Sequence, residues 1–249
     1  MMTHDDFFYV HSQNIHENHV SLEERESSHL IKVMRCKKND LFWAVDGNGF
    51  VYECKITIAD KKKTTADIVK KLADFGESTS QVTVAVGIPK KHRFEWIIEK
   101  GTELGVSTFT PLRTKRTIAN EKSIKYDRLN NIIISSCKQC KRSKFPTLRP
   151  VQSFKYFCEH SGQFDIKFIA HEKAAASTIN NLLQALPKQA QIHSACLCIG
   201  PEGGFTEEEV QFAVQNGFQP ITFGVRRLRT ETAAIVGATI ILNALGELQ

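Results

Sequence analysis

Two short loops near the carboxyl end of the chain carry the residues best suited to ligand chemistry. The first loop, residues 199–206, contains three glycines, and the second, residues 223–233, contains Gly224. Each loop follows an apolar run and opens a predicted helix, and the spacing of Thr206 and Glu209 is that of a capping box. These glycines therefore lie in strand-to-helix turns, where the backbone approaches a ligand closely.

Acidic residues surround the first loop. Glu207, Glu208 and Glu209 occupy the first turn of the predicted helix, and Glu202 lies within the loop itself. Carboxylates at this position stabilise the helix by roughly 0.3–1 kcal/mol each, but they repel a pyrophosphate, the usual ligand of such a turn. We therefore expect a ligand without phosphate.

The second loop has the opposite charge. Arg226, Arg227 and Arg229 lie within four residues, a density of guanidinium groups that suits an anionic partner such as an RNA backbone. The two loops together predict one cleft that holds a phosphate-free cofactor beside a polyanion.

The composition indicates an ordinary globular protein. The chain has 249 residues, 41% of them hydrophobic, enough for one large domain or two moderate ones. No apolar stretch reaches the roughly 18–20 residues that span a bilayer, and the first residues lack a basic segment followed by an apolar core. We therefore expect a cytoplasmic protein with no membrane partner.

The seven cysteines lie mostly within apolar periodic segments. Their odd number favours buried free thiols in a reducing compartment. Cys137 and Cys140 form one C-x-x-C pair, but neither a second pair nor a spaced histidine pair accompanies it. We therefore predict no metal site.

Positive charge is concentrated in the middle of the chain. Residues 1–75 carry 11 basic and 12 acidic side chains, whereas residues 90–149 carry 15 basic and 5 acidic ones, a net +10. A local field of this size raises the prospect of polyanion binding.

The first part of the chain is predicted to be mostly β. The apolar stretches 7–10, 41–45 and 50–58 alternate as strands do, and the last two flank the turn 46–49 as a hairpin. Ser28 is expected to cap one helix. A polar stretch near residue 75 predicts a boundary between a domain 1–75 and a domain 76–249.

The second part alternates strands and helices, which predicts an α/β fold with an open parallel sheet and helices on both faces. The predicted strands are 82–86, 109–112, 164–170, 195–199 and 220–223, and the predicted helices include 94–104, one around Leu129 to Cys140, 177–186 and 206–216. A final segment, 233–245, is apolar on almost every side and is expected to lie in the core or at a subunit interface.

Several common enzyme motifs are absent. The sequence has no G-x-x-x-x-G-K-[ST] and no G-x-G-x-x-G after a strand, and His171-Glu172 does not extend to H-E-x-x-H. These absences weigh against NTPases, dinucleotide oxidoreductases and zinc hydrolases. Since no Pro-Cys pair offers a nucleophilic thiol for carbon methylation, a nitrogen or oxygen acceptor is the simpler choice.

The two loops resemble the signature of the RsmE family of SPOUT methyltransferases, which methylate N3 of a uridine in 16S ribosomal RNA. Further similar pieces occur in the same order along most of the chain: residues 29–30, 33–35, 90–93, Glu95, Lys100, 102–106, Gln139, Arg142 and Pro146. The chain departs from the family pattern at Asp6, Lys138, Val225 and Arg227.

This resemblance implies a small PUA-like β-barrel domain followed by a SPOUT domain whose parallel sheet contains a deep trefoil knot. It also implies a homodimer, S-adenosyl-L-methionine as cofactor, and ribosomal RNA or the small ribosomal subunit as partner. The cofactor has a sulfonium and no phosphate, which agrees with the acidic loop.

The resemblance and the loop chemistry together assign roles to individual residues. Arg229 is expected to hold the target nucleotide through its phosphate or its uracil carbonyls. Glu202 either accepts the N3 proton or holds its loop, and water or a phosphate is the alternative proton acceptor. Glu231 is either part of the site or a helix-terminal carboxylate. The expected cofactor contacts are Ala170, His171, Ile199, Gly200, Pro201, Gly203, Gly204, Phe223, Gly224, Leu228, Thr230 and Ala233.

The basic side chains are expected to contact the RNA backbone. They are Arg93, Lys100, Arg113, Lys115, Arg116, Lys141, Arg142 and Arg226. Two other functions remain open from sequence: ribose 2′-O methylation, and a non-catalytic RNA-binding role in ribosome assembly.

Overall fold

A computed structural model describes residues 3–90, 92–172 and 192–248. The predicted helix 177–186 lies outside these residues. Across the described ranges, every helix falls short of the length and apolar character needed to span a bilayer.

The chain packs into two compact units. The first comprises residues 1–77 together with 134–145, and the second comprises 78–133 and 146–249. The segment 134–145, predicted to be part of the second domain, therefore packs with the first unit. Helix α3 (Tyr126–Cys140) begins in the second unit and ends in the first.

The first unit is built on a five-stranded sheet in the order β1-β3-β4-β5-β2, in which only the β1–β3 pairing is parallel. Its strands are β1 (Thr3–Tyr9), β2 (His19–Ser21), β3 (Leu41–Val45), β4 (Phe50–Ile58) and β5 (Thr65–Ala73). The predicted β-rich character and the hairpin of β3 and β4 are confirmed, whereas β5 had no clear alternation in the sequence.

The turn between β3 and β4 is held by its own residues. Gly47 and Gly49 adopt positive φ angles of 75° and 109°, which glycine reaches without steric cost. The Asp46 carboxylate accepts hydrogen bonds from the backbone N–H groups of Asn48 and Phe50, at 2.8 and 3.1 Å. Side chains of Phe8, Phe42, Tyr52 and Ile56 fill the core against this sheet.

The helix of the first unit starts earlier than predicted. Helix α1 runs Glu24–Ser28 and leads into a wider helical turn at His29–Val33. Ser28 is in the αR conformation and makes no capping hydrogen bond, so its prediction as a cap was wrong. Segment 134–145 is called the inserted segment. Its residue Lys138 donates to both carboxylate oxygens of Glu26, at 2.7 and 2.8 Å.

The second unit contains the predicted parallel sheet, with the strand order β12-β10-β11-β6-β7-β8 and β9 paired to β7. Every pairing in it is parallel. Its strands are β6 (Gln81–Gly87), β7 (Thr108–Arg113), β8 (Thr147–Leu148), β9 (Gln152–Ser153), β10 (Ile166–Ala170), β11 (Ser194–Ile199) and β12 (Gln219–Ile221).

Helices cover both faces of this sheet. The further helices are α2 (Arg93–Leu104), α3 (Tyr126–Cys140), α4 (Phe154–Glu159), α5 (Glu207–Gln215) and α6 (Thr230–Ala244). On one face of β11, Leu197 packs against Gly237 of α6, where a side chain would lie 2.5 Å from the leucine. On the other face, Cys196 and Cys198 join a core cluster with side chains of α4 and α5. All seven cysteines are free thiols, as predicted.

A buried ion pair fastens the inserted segment within the first unit. Two nitrogens of Arg142, Nε and Nη2, donate to Oε2 of Glu77 at 3.3 and 2.9 Å. The Arg142 and Glu77 side chains are only 5% and 8% exposed. The prediction of Arg142 as an RNA contact is therefore corrected, because its guanidinium is enclosed and already neutralised by a carboxylate.

We predict that Arg142→Ala destabilises the first unit by about 3–5 kcal/mol, because it leaves the buried Glu77 carboxylate without a counter-charge. Denaturant unfolding measures this loss. The control is Lys144→Ala: Lys144 pairs with Asp74 at the surface, and its loss should cost less than about 1 kcal/mol. Equal stabilities of the two variants would contradict the assignment.

Candidate functional site

A cleft of about 760 Å³ opens at the carboxyl ends of β10, β11 and β12. These three strands are neighbours in the sheet order β12-β10-β11. The carboxyl edge of parallel strands is where open α/β sheets bind ligands, and the segments that follow each strand form the three walls here.

The first wall is the glycine-rich loop after β11. Gly200 and Gly204 approach so closely that a Cβ on Gly200 would lie 2.9 Å from the backbone of Gly204. Gly204 has a φ of +68°, and its N–H donates to the Pro201 carbonyl at 2.7 Å, closing the turn. A side chain at Gly200 has no room, which explains the glycine in steric terms.

The capping box at the start of α5 is confirmed. The Thr206 N–H donates to Oε2 of Glu209 at 2.9 Å, and the Glu209 N–H donates to the Thr206 hydroxyl at 3.2 Å. The neighbouring Glu208 carboxylate accepts a hydrogen bond from Lys115 at 2.7 Å, and this bond lowers the pKa of Glu208. In the first turn of α5, the Glu209 carboxylate is therefore part of the helix cap and the Glu208 carboxylate is paired with Lys115.

The second wall is the loop between β12 and α6. Gly224 has a φ of +103°, and Val225 beside it is 100% exposed. The buried Thr230 hydroxyl donates to the Gly200 carbonyl at 3.2 Å. This hydrogen bond joins the second wall directly to the first.

The third wall follows β10. The His171 N–H donates to the Ile221 carbonyl at 2.9 Å, which fixes the wall against β12. The imidazole is only 11% exposed, and its Nε2 lies 3.9 Å from Oε1 of Glu207. Ala170 and Glu172 complete this wall.

The structure brings every predicted cofactor contact to this cleft. All twelve residues line it: Ala170, His171, Ile199, Gly200, Pro201, Gly203, Gly204, Phe223, Gly224, Leu228, Thr230 and Ala233. Their roles toward a ligand remain predictions.

Arg116 braces the glycine loop. Its Nη1 donates to the carbonyl of Gly203 at 2.7 Å and to the carbonyl of Phe205 at 3.3 Å. Arg116 was predicted to contact RNA, but in this structure its guanidinium serves the loop.

Two further arginines of the cleft have partners around Glu202. Arg93 lies 3.0 Å from Oε1 of Glu202, and the Lys90 N–H donates to the same oxygen at 2.9 Å. Arg227 donates to the Glu202 carbonyl at 3.4 Å and lies 3.6 Å from Oε2 of Glu172.

Arg226 and Arg229 differ from these arginines. Both line the cleft and are exposed, and neither side chain has a hydrogen bond or an ion pair with a described residue. They are the guanidinium groups of the cleft that a polyanion meets without displacing a protein carboxylate.

The three predicted catalytic residues lie in different places. Arg229 and Glu202 line the cleft, whereas Glu231 does not. Oε2 of Glu231 is buried and accepts no hydrogen bond from the described residues, although Nε of Arg93 lies 3.8 Å away.

The remaining basic residues predicted to bind RNA lie outside the cleft. Three of them pair with carboxylates at exposed or half-exposed positions: Lys100 with Glu99 and Glu103, Arg113 with Glu121, and Lys115 with Glu208. Lys141 is half-buried, with a φ of 61°. These contacts leave less free positive charge than the sequence count indicates.

Seven cleft residues were not assigned individually as site residues from the sequence. They are Glu172, Phe205, Glu207, Ile221, Thr222, Val225 and Arg227. All lie within or beside the segments predicted to form the cleft. The sequence therefore predicted where each wall lies in the chain, but not how many of its residues line the cleft.

Models of known families match both parts of the chain. Residues 76–242 match an RNA methyltransferase domain, and residues 22–69 match an RNA methyltransferase PUA domain. The protein named ribosomal RNA small subunit methyltransferase E of Synechocystis is 33% identical, over 96% of this chain and 77% of that protein. This chain belongs to the ribosomal RNA small subunit methyltransferase E family. It is an RNA methyltransferase.

Other members of the methyltransferase E family agree with this assignment. The protein of that name from Bacillus subtilis is 29% identical, over 89% of this chain and 88% of that protein. A crystal structure of the Neisseria gonorrhoeae methyltransferase E bound to S-adenosyl methionine has a TM-score of 0.84 and 27% identity, and the match covers 96% of this chain and 98% of that chain.

We predict that Arg116→Ala loosens the glycine loop of this methyltransferase. Amide hydrogen exchange at residues 203–205 should accelerate because two carbonyls of the loop lose their donor. Arg149→Ala provides the control, since Arg149 is exposed and its side chain contacts none of these residues. Unchanged exchange in the Arg116 variant would refute the bracing role.

Proposed function

We propose that this chain transfers a methyl group from S-adenosylmethionine to N3 of a specific uridine in 16S ribosomal RNA. The observation that carries the proposal is the cleft itself. Its glycine loop bears carboxylates, and the adjoining loop presents the Arg226 and Arg229 side chains, which have no partner among the described residues. Family membership supplies the reaction class.

The charge of the cleft fits the cofactor. Glu172, Glu202 and Glu207 line it, and these carboxylates favour a cationic sulfonium over a phosphate. The close approach of Gly200 and Gly204 leaves backbone exposed at the same place. We assign the cofactor to this cleft.

Apolar side chains of the cleft suit the adenine ring. Ile199, Ile221, Leu228 and Ala233 line it, and they come from all of β11, β12, the second loop and α6. We propose that they enclose the base while polar backbone groups of the glycine loops bind the rest of the ligand.

Arg229 is the proposed anchor of the target nucleotide. Its exposed guanidinium precedes α6 as the N-cap residue, next to Thr230, which is bonded to the glycine loop. A planar guanidinium offers paired donors to a phosphate or to the uracil carbonyls, which a lysine does not.

The reaction requires removal of the N3 proton. When bound, the cofactor supplies an activated methyl group, and transfer leaves a neutral thioether and one proton released from N3. We assign that proton to Glu202, because its carboxylate lines the cleft, whereas Glu231 does not. Orientation of N3 toward the methyl group supplies much of the acceleration, since well-oriented reactants gain roughly 7–11 kcal/mol.

We propose that residues 1–75 form a PUA-like β-barrel domain that binds RNA and that residues 76–249 form the methyltransferase domain with its trefoil knot. The PUA model matches residues 22–69, and the methyltransferase model begins at residue 76. The remaining exposed basic side chains then bind the RNA backbone in the cytoplasm, where ribosomal RNA is modified.

A homodimer is the proposed assembly. Helix α6 leaves Ile235, Val236 and Ile240 half-buried, and Trp96 of the adjacent α2 is 57% exposed. An apolar face of this kind is typical of a subunit interface.

Nucleoside mass mapping of 16S ribosomal RNA tests this function. RNA incubated with the protein and S-adenosylmethionine should gain one N3-methyluridine. Arg229→Ala should lower the rate by about 10²-fold or more, and Arg229→Lys should not restore it. A 2′-O-methylated product, or no product from a chain that binds the RNA, would overturn the proposal.

Cofactor binding tests the cleft separately. Calorimetric titration with S-adenosylmethionine should show at least about tenfold weaker binding by Gly200→Ala, a change of ~1.4 kcal/mol, because the added methyl meets the backbone of Gly204. Gly162→Ala is the matched control, since a Cβ there meets nothing within 4 Å. Equal affinities of both variants would place the cofactor elsewhere.

A further inference from the structure

Five arginines line the cleft, and one of them has surroundings unlike the rest. Arg93 lies at the start of α2 and is 35% exposed, and it is near two carboxylates at once. Its Nη1 is 3.0 Å from Oε1 of Glu202, and its Nε is 3.8 Å from Oε2 of Glu231.

The charge of this group disfavours an RNA contact. One guanidinium between two carboxylates leaves a net charge of −1, so an RNA phosphate near Arg93 meets repulsion as well as attraction. Arg226 and Arg229 have no such neighbours among the described residues, so they offer the phosphate a full positive charge.

The geometry at Glu202 shows what Arg93 does instead. Arg93 and the Lys90 N–H both donate to Oε1 of Glu202, at 3.0 and 2.9 Å. No described residue donates to Oε2, the other oxygen of the same carboxylate. Two donors on one oxygen fix the carboxylate and leave the second oxygen available in the wall of the cleft.

Glu231 adds a second reason for the arginine. Oε2 of Glu231 is buried and lacks a hydrogen bond from the described residues, which is costly for a charged group without a nearby counter-charge. Nε of Arg93 supplies that charge. The same guanidinium therefore stabilises the start of α6, beside Arg229.

We propose that Arg93 is a positioning residue of the methyl-transfer reaction: it orients the Glu202 carboxylate toward the substrate and neutralises Glu231, and it makes no contact with the RNA backbone. This assignment rests on the proposed function, because it takes Glu202 as the acceptor of the N3 proton. It replaces the prediction that Arg93 binds RNA.

The test compares Arg93→Met with Arg226→Met in two assays. In RNA-binding titrations over a range of salt concentrations, Arg226→Met should weaken binding and reduce the salt slope by about one. Arg93→Met should leave the salt slope unchanged, and any loss of affinity should be smaller than that of Arg226→Met, because it comes only from the charges of Glu202 and Glu231 that Arg93 no longer neutralises. A reduced slope for Arg93→Met overturns the proposal, and this binding assay decides that point whether or not methyl transfer is observed.

Kinetics on the same RNA supply the second assay. Arg93→Met should lower kcat with little change in the KM for RNA, and Arg93→Lys should restore part of kcat, since lysine keeps the charge beside Glu202. When Arg93→Met is combined with Glu202→Gln, the loss of kcat should be about tenfold smaller than the product of the losses in the two single variants, because the two residues act through one interaction. Multiplying losses would overturn the proposal.

Two further comparisons separate the outcomes. Arg93→Met/Glu231→Gln removes the buried charge of Glu231 together with its counter-charge, so it replaces Arg93→Met where the single variant is too unstable to measure, and it enters the same two assays. A wild-type chain that binds RNA but transfers no methyl group refutes the proposed function, whereas normal wild-type transfer with a reduced salt slope in Arg93→Met refutes only this inference.

Discussion

The site depends on the close approach of two glycine backbones. Because Gly200 and Gly204 have no side chains, the loop after β11 folds back on itself, with no room for a Cβ at Gly200. The Gly200 carbonyl then accepts a hydrogen bond from the Thr230 hydroxyl. That bond places the start of α6, and with it Arg229, beside the glycine loop. Packing at one point therefore sets the distance between the two halves of the cleft.

The arginines of the cleft differ in whether their side chains already have a partner in the protein. Arg116 and Arg93 bind groups of the glycine loop, while Arg226 and Arg229 have no partner among the described residues. An arginine paired with a carboxylate has its charge neutralised, as Arg93 has at Glu202, whereas Arg116 keeps its charge but its hydrogen bonds hold the glycine loop. Arg226 and Arg229 are therefore the arginines that we propose for binding a polyanion, in the same cleft as the carboxylates of Glu172, Glu202 and Glu207.

The same reasoning explains why the count of basic residues overstated the RNA surface. Lys100, Arg113 and Lys115 are each paired with carboxylates, and Arg142 is buried against Glu77. Of these partners, Glu208 and Glu77 lie outside residues 90–149, at 93 and 65 residues from Lys115 and Arg142, so a charge count over that segment does not include them. The Glu77–Arg142 pair also fixes segment 134–145 to the first unit. The boundary predicted at residue 75 from local composition did not indicate this packing.

Local patterns were enough to predict the elements that build the cleft. The alternation of apolar runs predicted β11 and the parallel sheet, and Thr206 and Glu209 predicted the start of α5. The two loops contain ten of the twelve residues predicted to contact the cofactor, and all twelve line the cleft. These features arise within a few residues, through backbone geometry and short-range hydrogen bonds. Only the tertiary structure decided which charges are free, that Arg93 meets Glu202 across 109 residues, and that Glu231 lies outside the cleft. Such pairings depend on how distant segments pack, and no local residue pattern encodes that.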